Sequence, residues 1–185
     1  SLFHPRPSWL PEATAALARH EFLTAHQLAP LVEVDTALVA DVLETLAHDG
    51  LLERLVPHPG FEAKTPRPAY ALTRLGAREL ARVERAEEFV VPRAKRSPFT
   101  LAHDLERNTF GVVLELLARR RRLRLLRFET TRSKIADVTH LLVSGEVRRI
   151  PLVADALALV EVEGLRTGLL IEIDRGTVAA RRMEE

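Results

Sequence analysis

Val153-Ala154-Asp155-Ala156-Leu157-Ala158-Leu159-Val160-Glu161-Val162-Glu163-Gly164-Leu165-Arg166-Thr167-Gly168-Leu169-Leu170-Ile171-Glu172-Ile173-Asp174 reads as two strands around a tight turn. Glu163-Gly164 separates two apolar runs, and glycine takes the positive φ that a two-residue hairpin turn requires. Pairing Val162 with Leu165 fixes the register and brings Asp155 opposite Glu172. Side chains alternate between the faces of a strand. Ala154, Ala156, Ala158 and Val160 therefore share an apolar face with Thr167, Leu169, Ile171 and Ile173. Asp155, Leu157, Leu159 and Glu161 share the other with Arg166, Gly168, Leu170, Glu172 and Asp174.

Three carboxylates thus gather at one end of one face. Like charges directly opposite each other destabilise a sheet; at ~4 Å the repulsion is about 1 kcal/mol in water and about 4 kcal/mol at an effective dielectric of 20. Two explanations fit. A hard divalent cation, Mg²⁺ or Mn²⁺, sits between Asp155 and Glu172, or arginines such as Arg148, Arg149 and Arg166 neutralise them in a structural network.

The 185 residues allow one medium domain or two small ones, and a 46% hydrophobic content marks a globular chain. With no cysteine, disulfides and thiolate metal sites are excluded and a reducing compartment is expected. No apolar run approaches the ~20 residues of a membrane span and no signal peptide is visible, so a cytoplasmic protein with no membrane partner is expected.

The net charge of +1 hides an uneven distribution. Between Arg93 and Lys134 the cations Arg93, Lys95, Arg96, Arg107, Arg119, Arg120, Arg121, Arg122, Arg124, Arg127, Arg132 and Lys134 far outnumber the acids. Such a belt suits a phosphate backbone, which rewards each contact by counterion release. Basic residues also suit the C-terminal dipole of a helix, but four consecutive arginines exceed what that dipole needs. DNA is the expected partner.

From the N-terminus, Pro11 suits the first turn of a helix over about Pro11 to Glu21, with Ala15, Ala16, Leu17, Phe22 and Leu23 at helical spacing and Trp9 packing on the domain. Thr24 caps a second helix. Asp35 caps a third, whose stripe Leu38, Val42, Leu43 and Leu46 ends at Gly50. Leu51 to Val56 and Ala69 to Leu72 are strands, and Thr73 caps a helix to Glu88. Three helices, a two-stranded wing and a trailing helix predict a winged helix-turn-helix over residues 1–89. Tyr70, Leu72, Thr73 and Gly76 resemble the wing-to-helix junction of many winged-helix regulators. The third helix has Asp41 and Glu44 but no arginine or lysine, whereas base readout draws on Arg, Lys, Asn or Gln. Only Lys64 and Arg67 in the wing suit a phosphate. A role in packing or dimerisation is therefore as compatible with this helix as DNA reading.

Residues 90–99 hold prolines and basic residues and read as a linker. Residues 100–185 form the second domain: a helix from Thr100 to about Arg119 with Leu101, Leu105, Val112, Val113 and Leu116 buried, a strand over Leu123 to Phe128, a basic irregular segment, a short strand at His140 to Val143, then the hairpin. His103 in the first helical turn and Lys134 are candidate accessory residues; a lone histidine near a helix end is otherwise a cap or surface residue.

Helix, strands, Asp155 and then Glu172-Ile173-Asp174 resemble the PD-(D/E)xK nuclease core. With the winged helix in front and Ile171-Glu172-Ile173-Asp174-Arg175-Gly176-Thr177 behind, the whole chain resembles the replication-relaxation family, which includes MobC-like plasmid mobilisation proteins. The resemblance implies an α+β chain, a winged helix followed by a small restriction-endonuclease-like α/β domain, and a metal-dependent DNA-nicking or relaxing role in plasmid replication or transfer. It also implies Asp155, Glu172 and Asp174 as the catalytic set, with Asp155 and Glu172 holding Mg²⁺ or Mn²⁺. Ala154 stands where the nuclease motif has proline, and Asp174 stands where it has lysine. The chain ends before the further helix and strand of that core, which leaves a trimmed chain or a reduced domain as alternatives.

Two functions compete. One is a Mg²⁺-dependent DNA endonuclease or relaxase. The other is a non-catalytic winged-helix binding or assembly protein, partnering a second copy or other mobilisation and replication proteins, with a degenerate nuclease-like domain. A small-molecule enzyme lacks a glycine-rich phosphate loop, a nucleophile motif or a His/Cys cluster.

Overall fold

The computed structural model describes residues 7–57, 67–84, 98–130, 134–141, 145 and 147–173. Among them are five helices and three small antiparallel sheets, an α+β chain as expected. Two compact units divide at Leu116/Leu117.

The first unit runs α1 (Leu10–His20), β1 (Phe22–Thr24), α2 (Ala25–Val32), α3 (Thr36–His48), β2 (Leu52–Leu55), β3 (Ala69–Leu72) and α4 (Arg74–Glu84), followed by α5 (Pro98–Arg119), whose last turn passes the division. The local signals behave as the sequence predicts. Thr24 and Gln27 form a capping box, Asp35 accepts from the amides of Ala37 and Leu38, and Gly50 takes a positive φ of 74° after α3. Trp9 packs against the core of α1, α2 and α3.

Two readings need correction. Phe22 and Leu23 do not extend the first helix: α1 stops where Glu21 takes φ 65°, and Phe22–Thr24 becomes an edge strand paired with Ala69–Ala71. In α3 the core residues are Val39 and Leu43, while Leu38 is 52% exposed. Apolar residues at 38, 39, 42, 43 and 46 admit two helical phases one residue apart, and packing selects the second.

The junction motif acquires a physical reason. The Thr73 hydroxyl donates to the carbonyls of Gly50 and Leu51, at 2.8 and 3.1 Å, and accepts from the Gly76 amide at 2.9 Å. A Cβ on Gly76 would lie 1.8 Å from the Leu51 carbonyl oxygen, so only glycine lets α4 sit this close. The Tyr70 hydroxyl donates to Glu44 at 2.7 Å, joining β3 to α3.

Most of the linker expected at 90–99 lies outside the described residues, and α5 is bound into the first unit by buried polar groups. The Asn108 side-chain amide, fully buried, donates to the carbonyls of His20 (2.9 Å) and Phe22 (2.8 Å). The Gln27 amide donates to Leu105 O and Thr109 Oγ1. Leu101, Leu105, Val112 and Leu114 are buried, but Val113, expected in that stripe, is 45% exposed. Arg107, counted in the basic belt, is buried and paired with Asp104 at 3.2 Å, so it holds no phosphate.

The second unit contains β4 (Arg124–Glu129), β5 (Lys134–Leu141), β6 (Val147–Val153), β7 (Ala156–Val162) and β8 (Leu165–Ile171). The hairpin register is the predicted one, from Val162↔Leu165 to Ala156↔Ile171. Glu163 and Gly164 take φ 51° and 80°, the double positive φ of a type I′ turn. Of the face expected to be core, Ala154, Ala156, Ala158, Val160 and Ile171 are buried, Leu169 and Ile173 are half-buried and Thr167 is exposed. β4 completes a three-stranded sheet, β4-β7-β8, with a bulge between Leu125 and Arg127. The segment read as irregular is instead a long strand, β5, paired with β6, a strand the sequence reading missed.

Glu115 on α5 reports how α5 is tied to α1. Arg19 grips its carboxylate with two bonds (3.1 and 2.8 Å), and the buried His20 Nε2 lies 2.8 Å away, which requires Nε2 to carry the proton because a carboxylate only accepts. Burial alone would raise its pKa, but the hydrogen bonds from His20 and Arg19 win and hold it at about 2. A depressed folded pKa contributes stability that is present above the ordinary 4.5 and lost as pH falls through about 2. Glu115→Gln should therefore cost on the order of 2 kcal/mol at pH 7, after allowing for solvent screening of Arg19, and the difference should vanish near pH 2 in urea-unfolding curves. An equal loss at both pH values would show that the charge is not what stabilises.

Candidate nucleic-acid interface and metal centre

α5 ends with a left-handed residue that is not glycine. Arg121 takes φ 55°, its amide donates to Ala118 O at 3.0 Å and the Arg122 amide donates to Leu117 O at 3.0 Å. This is a Schellman closure with arginine at the position that favours glycine. Arg119, Arg120, Arg121 and Arg122 are all exposed. Among the described residues, the side chains of Arg120, Arg121 and Arg122 have no hydrogen-bond or ion-pair partner. Nothing in the core asks for these cations, and the left-handed conformation is strained for arginine.

The chain then enters β4 at Arg124. Register places Arg124 beside Glu161 of β7, and Glu161 beside Arg166 of β8. Glu161 accepts from both guanidinium groups, at 2.8 Å from Arg124 and 3.2 Å from Arg166. Those bonds, Arg166's first, hold its carboxyl below the usual range. Arg127 pairs with Glu129. The arginine run and the hairpin tip thus share one end of the sheet.

The carboxylates occupy the other end. Asp155 precedes β7; its amide donates to Ile171 O at 2.9 Å and its Oδ2 accepts from the Ile173 amide at 2.8 Å. The side chain takes the place of a backbone carbonyl and ends the ladder, so the last paired positions are Ala156 and Ile171, one short of Asp155 and Glu172. Glu172 is exposed. Arg166 does not neutralise this pair, since it is committed to Glu161 six residues away along β8. At ~3.4 Å per residue that is about 20 Å, or on the order of six base pairs of duplex.

Among the described residues no group of three or more His, Cys, Asp or Glu could hold a metal ion. Two carboxylates suit a Mg²⁺ that keeps several waters. Asp174, in the catalytic set, lies outside the described residues, as do Lys64, Arg93, Lys95, Arg96 and Arg132. Lys134 stands opposite Val153 in the β5-β6 pair. His103 lies in the first unit, its Nδ1 3.6 Å from Asp104.

In the first unit, Arg67 is exposed and borders a groove of about 520 Å³ with His26, Thr36, Ala37 and Tyr70. This brings Arg67 next to the start of α3. On α3, Ala37, Leu38, Asp41, Glu44, Thr45 and His48 are exposed. Glu44, bonded to Tyr70 and to Arg54, has its pKa lowered first by the Tyr70 bond and then by Arg54. The sequence reading passed over Glu161 and Arg166 as a pair, although the Val162–Leu165 register places them opposite each other.

The sequence pattern of one family, replication-relaxation, matches residues 15–185, nearly the whole chain. The chain belongs to the replication-relaxation family. No curated protein and no solved structure matches it. The family relation supports a role in plasmid replication and relaxation, and no helix among the described residues is long and apolar enough to cross a membrane.

Arginine at a left-handed position costs roughly 1 kcal/mol relative to glycine. Arg121→Gly should therefore raise stability by about 0.5–1 kcal/mol, the larger unfolded-state freedom of glycine offsetting part of the gain. Thermal melts of the two proteins check this; a fall in midpoint would mean the arginine side chain makes a stabilising contact.

Proposed function

We propose that this replication-relaxation protein binds duplex DNA during plasmid replication or mobilisation, gripping the phosphate backbone with Arg119, Arg120, Arg121, Arg122 and Arg124. The observation that carries this reading is the exposed arginine run at the strained end of α5. A chain selected for stability alone would place glycine at Arg121, and a helix dipole needs fewer cations. Backbone contacts of this kind position a protein without reading sequence. We read the first unit as a winged helix whose α3, acidic and without basic side chains, serves assembly with a second copy or with other replication and mobilisation proteins more than base recognition. Arg67, with Lys64 in the wing, supplies its phosphate contacts. Replacing Arg120, Arg121 and Arg122 with alanine should weaken DNA binding at all sequences and flatten the plot of log K against log salt by about 0.9 for each phosphate no longer neutralised. Fluorescence anisotropy over a salt series reads this directly, and an unchanged slope would remove the arginine run from the interface.

A second reading, metal-dependent DNA nicking, is favoured by the fixed carboxyl of Asp155 beside the exposed Glu172. These two residues would hold Mg²⁺ or Mn²⁺, which supplies Lewis-acid stabilisation of a phosphoryl oxygen when bound. The backbone bond from Ile173 orients Asp155 for that role. If so, millimolar Mn²⁺ should raise the melting temperature of the wild type by the linkage RT ln(1 + [L]/Kd). Asp155→Asn, whose amide oxygen still accepts from Ile173, should keep most of the metal-free stability and lose the metal response. A wild type indifferent to both cations would leave Asp155 as a strand-ending residue and the protein as a non-catalytic DNA binder.

A further inference from the structure

Hairpin tips facing water are normally polar, because the turn residues and their neighbours lose little by staying hydrated. Here the two residues flanking the turn are Val162 and Leu165, which pair directly across it. They lie on the face that is core farther along the strands, yet they are 44% and 74% exposed, so the apolar face runs past the end of the core into solvent. The double positive φ of Glu163 and Gly164 keeps the tip two residues wide. At the same end of the sheet stand Arg124 and Arg166, both bonded to Glu161 on the opposite face, and the exposed run Arg119, Arg120, Arg121 and Arg122 that leads into β4.

An apolar tip at the arginine-bearing end of the sheet matches the two chemistries of a deformed duplex, whose phosphates are anionic and whose base faces, once unstacked, are apolar. We propose that the β7-β8 tip is a wedge: Leu165, supported by Val162, enters a base step of duplex DNA while the arginine run that leads into β4 holds the flanking phosphates. The inference rests on the DNA-binding reading above and adds how the duplex is engaged. Side chains of this type inserted between base pairs unstack the step and kink the duplex by roughly 20–90°. Pyrimidine–purine steps such as TA yield most easily. Local opening of this kind is useful to a protein acting in replication or relaxation, and it needs no metal.

The test separates the wedge from the grip. Duplexes carrying 2-aminopurine at TA steps, with donor and acceptor dyes at their ends, are titrated with wild type, Leu165→Ser and Leu165→Thr; the second variant introduces a β-branched residue, which favours the strand. Wild type should raise the 2-aminopurine fluorescence and shorten the end-to-end distance. Both variants should bind with an unchanged salt slope and lose both signals. Unstacking and bending that survive in Leu165→Ser, or a wild type that binds DNA without either signal, would overturn the wedge while leaving the DNA-binding reading intact. A wild type that binds no duplex at any salt would overturn the reading beneath it. Vesicles containing anionic lipid serve as the competing surface: association that depends on Leu165, with DNA signals unaffected by the substitution, would assign the tip to a membrane and also overturn the proposal.

Discussion

The side-chain amide of Asn108 holds the first unit in its observed form. The last carbonyls of a helix have no partner within it, and Asn108 on α5 supplies one to His20 at the end of α1 and another to Phe22 at the start of β1. A buried donor left unmade costs about 1–3 kcal/mol, so the amide and the two carbonyls specify one another. With Gln27 serving both the α2 cap and α5, α5 cannot slide or rotate without orphaning several groups. The two helices are also joined through Arg19, His20 and Glu115.

Signals that act within a few residues were legible in the sequence. Capping by Thr24, Asp35 and Thr73, the glycine after α3, and the register of the terminal hairpin all follow from backbone chemistry that neighbours in sequence decide. What escaped the reading depends on distant partners. β1 is three residues long and opens on two apolar residues, and no periodicity distinguishes such a run from the end of a helix. Its strand character comes from β3, nearly fifty residues later. β6 contains two arginines and a proline, which disguise a strand defined by its pairing with β5. Arg107 looked like part of a basic surface because sequence shows charge and not burial; Asp104 on the same helix is what makes its burial tolerable.

The same division applies to the site. Alternation within the hairpin leaves the β7 side of the apolar face as core, while the ladder stops one pair short of Asp155 and Glu172. Which arginines meet which carboxylates depends on the third strand, and the sequence of β4 does not name its partner. Once β4 lies against β7, Arg124 and Arg166 converge on Glu161, far from the acidic end. A charge count over the chain could not separate an acidic pole from a basic one, since both belong to a single hairpin. That Leu38 and Leu165 face water is likewise a packing outcome: each belongs to an apolar pattern that extends one position beyond what the core covers.

The separation of the two poles has a consequence for how function can vary in this chain. Asp155 has a structural task, ending the β7-β8 ladder through the Ile173 amide, that persists whatever else its carboxyl does. The arginine pole is built from the end of α5, the start of β4 and the hairpin tip, and uses no residue of the acidic pole. Substitution of Glu172, exposed and outside the paired ladder, can therefore change chemistry at one pole without altering the grip at the other. The two activities considered for this protein, cutting and holding DNA, are separable on one small sheet because about six residues of strand lie between the groups that would perform them.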